Sequence, residues 1–286
     1  MIGARHVVAW ALICASFVPA RGARACDPPA PQAGAAHPKP DQSPPPGTGD
    51  QRRTVRSYPQ NLGYNLIGVV TRGNWAPLAA GIGLTVPALL VDDEVQDYFA
   101  DHRYHTLADA GQTLGGGLLV GSLTAGLFGA GRVARGDRFR AATYDLSQAI
   151  LVNGAWTFAL KTTIRRQRPD GGDRLSFPSG HASNAFATAT VLSRHYGLET
   201  AVPAYTVAGL IAVSRMAKSV HHLSDVVFGA AFGYGVGRAV VRRNSRPPTV
   251  PGEPTPPTPK DPAALGVWPD AGPAGDGVGL VLSVRF

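Results

Sequence analysis

The sequence predicts an all-α fold, a bundle of about six apolar helices. Apolar segments in the middle of the chain are longer than typical strands, and they lack the period-two alternation of a half-buried strand. Gly and Ala recur within them, which permits close approach between helices. The predicted helices are Trp75–Val91, Thr113–Gly131, Tyr144–Leu160, Ala182–Tyr196, Ala201–Ala217 and Val226–Val241.

Composition divides the chain into a helical middle and two proline-rich flanks. Hydrophobic residues make up 44% of the 286 residues and charged residues 16%, below the roughly 25% charged residues of soluble domains. Many of the 25 prolines fall in segments 26–61 and 244–286, which are polar and predicted to be disordered. Residues 62–243 remain as the predicted helical domain.

The N-terminus has the organisation of a secretory signal peptide. Arg5 precedes an apolar run from Val7 to Ala20, and Ala23-Arg24-Ala25 is a small-x-small cleavage site. We therefore expect residues 1–25 to be removed after export, leaving Cys26 as the single cysteine and no intrachain disulfide. Two alternatives stay open: an uncleaved anchor helix and lipidation of Cys26.

The formal charge of +8 does not indicate a nucleic-acid-binding protein. Residues 1–25 hold three arginines and no acidic residue, so the mature chain carries +5. No stripe of basic residues interleaved with aromatic residues is present, and the cations gather at predicted helix ends. The charge favours an anionic substrate or an anionic membrane surface as the partner.

The position of the bundle relative to the membrane is constrained by two patterns that disagree. Thr113–Gly131 carries no charge and is long enough to cross a bilayer. With six spans, the positive-inside rule places the three polar clusters described below outside, whereas a cleaved signal peptide places them inside. A bundle lying wholly in the periplasm or at the envelope removes the conflict and is our prediction, with an integral membrane protein as the alternative. Residues 277–286 alternate in part and predict a short terminal strand.

A first polar cluster lies at the end of the third predicted helix. Lys161 is followed seven residues later by Arg168 and then Pro169. Both cations carry fixed charge, and Arg grips two phosphate oxygens in a bidentate fork. The alternative is an ordinary basic helix end, because Arg165 and Arg166 lie between them.

A second cluster, Pro178-Ser179-Gly180-His181, precedes the fourth predicted helix. Ser179 is suited to the N-cap, and Gly180 permits tight backbone turning. Main-chain N–H groups at a helix N-terminus bind phosphate readily. The alternative is a capped helix start without a binding role.

A third cluster joins the fifth and sixth predicted helices. Ser214-Arg215 ends one, and His221 and Asp225 begin the other. Four residues apart on a helix, His221 and Asp225 are expected to share one face, so that Asp225 orients the imidazole. His222 then points elsewhere. Two histidines, a carboxylate and three fixed cations are the groups needed to attack a phosphoryl centre.

The three clusters together resemble the type 2 phosphatidic acid phosphatase and vanadium haloperoxidase superfamily, whose motifs take the forms K-x6-RP, PSGH and SR-x5-H-x3-D. Every defining position is present, over about 65 residues. The resemblance implies that His221 is the phosphoryl-accepting nucleophile, that Asp225 orients it and that His181 is the general acid. It implies further that Lys161, Arg168, Arg215, Ser179 and Gly180 bind the phosphate. Lys218, between Arg215 and His221, is a departure where an apolar or aromatic residue is expected.

We therefore predict a phosphatase that acts on a lipid phosphate or a small phosphate ester through a phosphohistidine. Neither a metal nor a cofactor is expected, and no Cys/His cluster has metal-ligand spacing. Two other interpretations stay open at this point: a haloperoxidase that holds vanadate in the same pocket, and a non-catalytic helical envelope protein.

Overall fold

The computed structural model describes residues 52–102 and 104–245, together with two short strands near the C-terminus. The two ranges 52–102 and 104–245 contain nine α-helices. They are α1 (Tyr58–Gly68), α2 (Trp75–Leu89), α3 (Asp92–Asp101), α4 (His105–Leu114), α5 (Gly117–Val133), α6 (Asp137–Ile164), α7 (Gly180–Tyr196), α8 (Leu198–Ala217) and α9 (Leu223–Asn244). The all-α prediction is confirmed.

The count of about six helices was too low because apolar runs miss short amphipathic helices. α3 begins Asp92-Asp93-Glu94, which stabilises a helix N-terminus, and it buries only Val95 and Phe99 among its apolar side chains. α1 and α4 are equally short and mixed in polarity. The predicted segment Thr113–Gly131 is also interrupted, because α4 ends at Leu114 and α5 begins at Gly117 with a bend of 41° between them.

α9 packs against α7 through a line of glycines. A methyl group added at Gly233 would lie 2.0 Å from the carbonyl oxygen of Ser183. Added at Gly229 or Gly237, it would lie 2.7 Å from the Ser179 oxygen or 2.8 Å from the Ala187 oxygen. Only hydrogen fits at these positions, so the two helix backbones are held at a fixed separation.

A buried polar network closes one end of the bundle. Asp145 on α6 is fully buried and accepts hydrogen bonds from Arg53 Nε and Nη2 at 3.0 and 2.9 Å. It also lies 2.9 Å from Nε2 of His195 at the end of α7, and accepts from Asn244 Nδ2 at 2.7 Å. The network therefore ties the segment before α1 to α6 and to the C-terminal ends of α7 and α9.

Several helices present apolar side chains outward. α8 is long and apolar enough to cross a membrane, and the number of such spans rises to three among the described residues if α2 with α3 and α4 with α5 each count as one bent span. Large exposed apolar side chains lie on α2, α5, α6 and α8; they include Ile82, Val86, Leu118, Leu123, Leu151, Phe158, Val202 and Leu210.

The flanking predictions fall largely beyond the described ranges. The signal peptide (1–25), Cys26 and most of the linker 26–61 lie outside them, although α1 begins at Tyr58 within the assigned linker. In the tail, strands β1 (Val267–Asp270) and β2 (Gly277–Leu280) pair antiparallel, with Val267 opposite Leu280. β2 coincides with the start of the predicted terminal strand.

Candidate active site

Four helix ends bring the three sequence clusters to one end of the bundle, opposite the Asp145 network. Lys161 lies in the last turn of α6, and Ser179 caps the start of α7. Arg215 lies in the last turn of α8, and Asp225 lies in the first turn of α9. Lys161 therefore belongs to its helix, which runs to Ile164, rather than following it as the sequence suggested.

The start of α7 has the predicted N-cap. The Ser179 hydroxyl accepts from the main-chain N–H of Ala182 at 3.5 Å, and its own N–H donates to the Asp225 carbonyl at 3.0 Å. A methyl group at Gly180 would lie 4.0 Å from Cε of Lys161, so the helix N-terminus and this cation are neighbours. Amide dipole and ammonium charge both favour an anion here.

His221 and Asp225 are close, but not through helical spacing. His221 lies in the loop before α9, which begins at Leu223, so the expectation that both residues share a helix face was wrong. Nδ1 of His221 is 3.8 Å from Oδ2 of Asp225, close enough for charge attraction but longer than a hydrogen bond. The tight turn places them together because Asp225 Oδ2 accepts from the His222 N–H at 2.9 Å.

Asp225 is fully buried and has more partners than the sequence motifs indicate. Ser176 Oγ donates to its Oδ2, and Arg166 Nη1 donates to its Oδ1 at 2.6 Å. Burial raises the pKa of the carboxyl, but these bonds and the contact with His221 outweigh it and hold the pKa at about 2. Asp225 is therefore ionised at neutral pH.

Arg166 and Asp92 were missed as site residues by the sequence reasoning. Arg166 Nη2 donates to Asp92 Oδ2 at 2.8 Å, and Asp92 in turn accepts from Ser224 N and Oγ at 2.8 and 2.6 Å. Arg166 stands within the first motif, where it read as part of a basic helix end. Asp92 gave no signal, because α3 was not among the predicted helices.

The three predicted phosphate-binding cations lie within electrostatic range of each other. Each has one recorded partner among the described residues: Lys161 Nζ donates to the Leu175 carbonyl, Arg168 Nε to Asp173 Oδ1 at 2.7 Å, and Arg215 Nη1 to Gln112 Oε1 at 3.0 Å. Burial, and then the charge of Arg168, lowers the pKa of Lys161 to about 8. Mutual repulsion of this kind is relieved when an anion binds between the cations.

His181 faces the same space with an unpaired ring nitrogen. Burial, followed by the charges of Arg215 and His221, lowers its pKa to about 4. Its Nε2 is buried without a hydrogen-bond partner in the described part of the chain, as is Arg215 Nε. Buried polar atoms without partners are costly, so their grouping here indicates the position of a polar ligand.

Lys218, the departure from the motif, lies at the edge of this site. Its side chain is 38% exposed, and Nζ is 3.9 Å from Oδ1 of the exposed Asp109. The contact directs its charge toward α4 and solvent.

Within residues 52–102 and 104–245, no three His, Cys, Asp or Glu side chains are grouped as a metal site requires.

The arrangement defines a class of site: cations and a helix N-terminus around two imidazoles, a set of groups that favours a phosphate-like anion. Comparison with known families agrees, because residues 142–247 match the PAP2 superfamily model. This matched region, which contains all three sequence clusters from Lys161 to Asp225, belongs to the PAP2 superfamily.

Curated relatives match over the same part of the chain. Lipid A 1-phosphatase of Porphyromonas gingivalis is 42% identical over 87 residues, which cover 29% of this chain and 20% of that protein. Decaprenylphosphoryl-5-phosphoribose phosphatase of Mycobacterium tuberculosis is 37% identical over 106 residues, covering 32% of this chain and 58% of that protein. The chain thus spans less than two thirds of either relative. The crystal structure of Aquifex aeolicus LpxE overlaps 53% of this chain and 95% of its own, with 26% identity and a TM-score of 0.46.

Proposed function

We propose that this protein is a metal-independent phosphatase that hydrolyses the phosphate monoester of a phosphorylated lipid through a phosphohistidine. The observation that carries the proposal is the convergence of His221, His181, Asp225 and three cations at one end of the bundle. An ordinary polar patch would not leave His181 Nε2 and Arg215 Nε buried without hydrogen-bond partners at one place.

In the proposed first step, Nε2 of His221 attacks phosphorus and the bond to the leaving oxygen breaks. Burial lowers the pKa of His221, so its ring is neutral and nucleophilic at neutral pH. The ionised Asp225 stabilises the imidazolium that forms. Lys161, Arg168, Arg215 and the amides around Ser179 and Gly180 stabilise the charge on the phosphoryl oxygens.

His181 supplies a proton to the leaving oxygen and then accepts one from the water that cleaves the phosphohistidine. With a pKa of about 4 it is neutral in the free protein at pH 7. A dianionic phosphate beside the ring favours the protonated form, so substrate binding raises this pKa toward the value that a general acid requires.

A phosphorylated lipid is the favoured substrate class for two reasons. The relatives' names specify phosphatases of lipid A and of a decaprenylphosphoryl sugar. The outward apolar side chains and the candidate span α8 suit a protein that works at a membrane surface. Under this proposal the protein is exported and associated with the cell envelope, with the pocket open toward the lipid headgroups.

The proposal is tested by hydrolysis of p-nitrophenyl phosphate in excess chelator, with and without a short-chain alcohol. A phosphohistidine partitions between water and alcohol, so the alkyl phosphate should form at the expense of inorganic phosphate. Full activity in chelator with alcohol-dependent partition supports the mechanism. Loss of activity on chelation would contradict it. A higher kcat/KM for phosphatidate in mixed micelles than for glycerol phosphate would support the lipid preference.

Phosphate affinity should fall as the pH rises through about 8, because Lys161 loses its charge in the unliganded protein above that pH. The inhibition constant for inorganic phosphate is expected to rise about tenfold between pH 7.5 and about 9.5, in which range phosphate is largely a dianion. Lys161→Arg stays charged and should remove this alkaline increase. An identical pH dependence in both proteins would show that Lys161 is not the titrating group.

A further inference from the structure

Two helices that precede the matched region 142–247 reach into the candidate site. α3 contacts the site through its first residue, Asp92, and α4 contacts it through Gln112. Neither residue belongs to the three sequence motifs. Their contacts differ in kind, since Asp92 acts on the His221–Asp225 side and Gln112 on the side of the phosphate-binding cations.

Gln112 is the one recorded hydrogen-bond partner of the Arg215 side chain in the described residues, and the distance from Nη1 to Oε1 is 3.0 Å. Arg215 is only 3% exposed, so the direction of its guanidinium depends on protein partners rather than on water. The main-chain carbonyl of Gln112 also faces the His181 ring and favours its protonated form. One residue of α4 thus touches two groups of the proposed mechanism.

Two glycines of α4 allow this helix to pack closely against Ser214 and His181. A methyl group at Gly111 would lie 1.8 Å from Ser214 Oγ, and one at Gly115 would lie 2.6 Å from Cδ2 of His181. Both glycines are buried, whereas Gln112 and Thr113 between them are exposed. The glycines permit the close approach that brings Gln112 to Arg215.

Asp92 reaches the nucleophile through two intermediates. Its carboxylate binds Arg166 at 2.8 Å and Ser224 at 2.6 Å, and Arg166 binds Asp225 at 2.6 Å. Asp92 is 4% exposed, so its charge is balanced by Arg166 rather than by solvent. Without Asp92, the Arg166 guanidinium would be free to turn fully onto Asp225 and compete with His221 for the carboxylate.

We propose that α3 and α4 supply two positioning residues, Asp92 for the His221–Asp225 pair and Gln112 for Arg215. This inference rests on the proposed phosphatase function. It assigns different measurable effects to the two residues: Asp92 governs the rate of phosphoryl transfer, and Gln112 governs the affinity for the phosphate group. A merely structural role would not separate kcat from the phosphate inhibition constant.

The test compares each variant with a matched neighbour in the full-length protein. Asp92→Asn is expected to lower kcat at least tenfold with less than a threefold change in the phosphate inhibition constant, whereas the exposed neighbour Asp93→Asn should behave as wild type. Gln112→Met is expected to raise the inhibition constant about tenfold with a smaller change in kcat, whereas Thr113→Ala should not change either. Melting temperatures are measured for all four variants.

Wild-type kinetic constants in Gln112→Met and Asp92→Asn would overturn the proposal, as would a lower melting temperature without the predicted separation of effects. Because Gln112 is exposed, its replacement tests the proposal even if Asp92→Asn fails to fold. In each of these cases, phosphatase activity of the wild-type protein would still support the proposed function. A wild type without phosphatase activity would instead refute the proposed function; stabilisation by inorganic phosphate, weaker in Gln112→Met, would then still support the Gln112 assignment.

Discussion

Replacing His221 with glutamine is expected to abolish phosphatase turnover, by at least about a thousandfold, because an amide cannot form the covalent intermediate proposed for the imidazole. Glutamine preserves the size and polarity of the side chain, and the main-chain bond from His222 to Asp225 is untouched. Initial rates with p-nitrophenyl phosphate and the yield of alkyl phosphate in alcohol measure the effect. Both should vanish together.

His181→Gln provides the contrast that separates nucleophile from general acid. A general acid matters most when the leaving group is basic, so we expect a far larger loss with an alkyl phosphate than with p-nitrophenyl phosphate. His102→Gln, on the exposed stack with Tyr98, is the control and should retain wild-type rates.

Residual turnover with normal alcohol partition in His221→Gln would assign the nucleophile to another residue.

Gly233→Ala is expected to destabilise the fold by about 3 kcal/mol and to remove activity, because its methyl group would lie 2.0 Å from the Ser183 carbonyl oxygen. The oxygen belongs to the backbone of α7 and cannot rotate away. α7 and α9 must then separate, which displaces His181 from Asp225. Thermal unfolding in detergent should show a melting temperature lower by roughly 6–12 °C.

Gly154→Ala is the matched control for this change. No atom outside its own helix lies within 4 Å of a methyl group at Gly154, which is exposed on α6. Alanine is the better helix former, so the melting temperature should be unchanged or higher. Equal stability of the Gly233 and Gly154 variants would mean that α7 and α9 tolerate a wider separation than their contact indicates.

The helix prediction succeeded where apolar length was the determining property. The observed bounds of α2, α7, α8 and α9 differ from the predicted segments by at most a few residues. Long apolar runs bounded by Gly, Pro or polar residues form helices much more often than other elements. α3 failed this criterion: its stability depends on first-turn carboxylates and on burial of Val95 and Phe99 against other helices. Such tertiary contacts leave no local periodic signal.

The sequence predicted those residues of the candidate site that lie within the short motifs. Short segments hold Ser179, His181, His221 and Asp225, whose residue types are typical of phosphate binding and proton transfer. The fold brings these four residues to one end of the bundle. Gln112 was not predictable, because a lone glutamine has no distinguishing chemistry. Its contact with Arg215 arises only from the crossing of α4 over α8.

The interior ion pair of Asp145 and Arg53 bears on where an autonomous folding unit begins. Arg53 lies well upstream of the region 142–247 that defines the superfamily match, yet its guanidinium neutralises Asp145, a fully buried carboxylate near the start of that region. A fragment cut at the family boundary would strand Asp145 beside His195 and Asn244 without its permanent countercharge, a loss of about 3–5 kcal/mol. The smallest stable polypeptide is therefore expected to extend upstream of the matched region 142–247, to include Arg53.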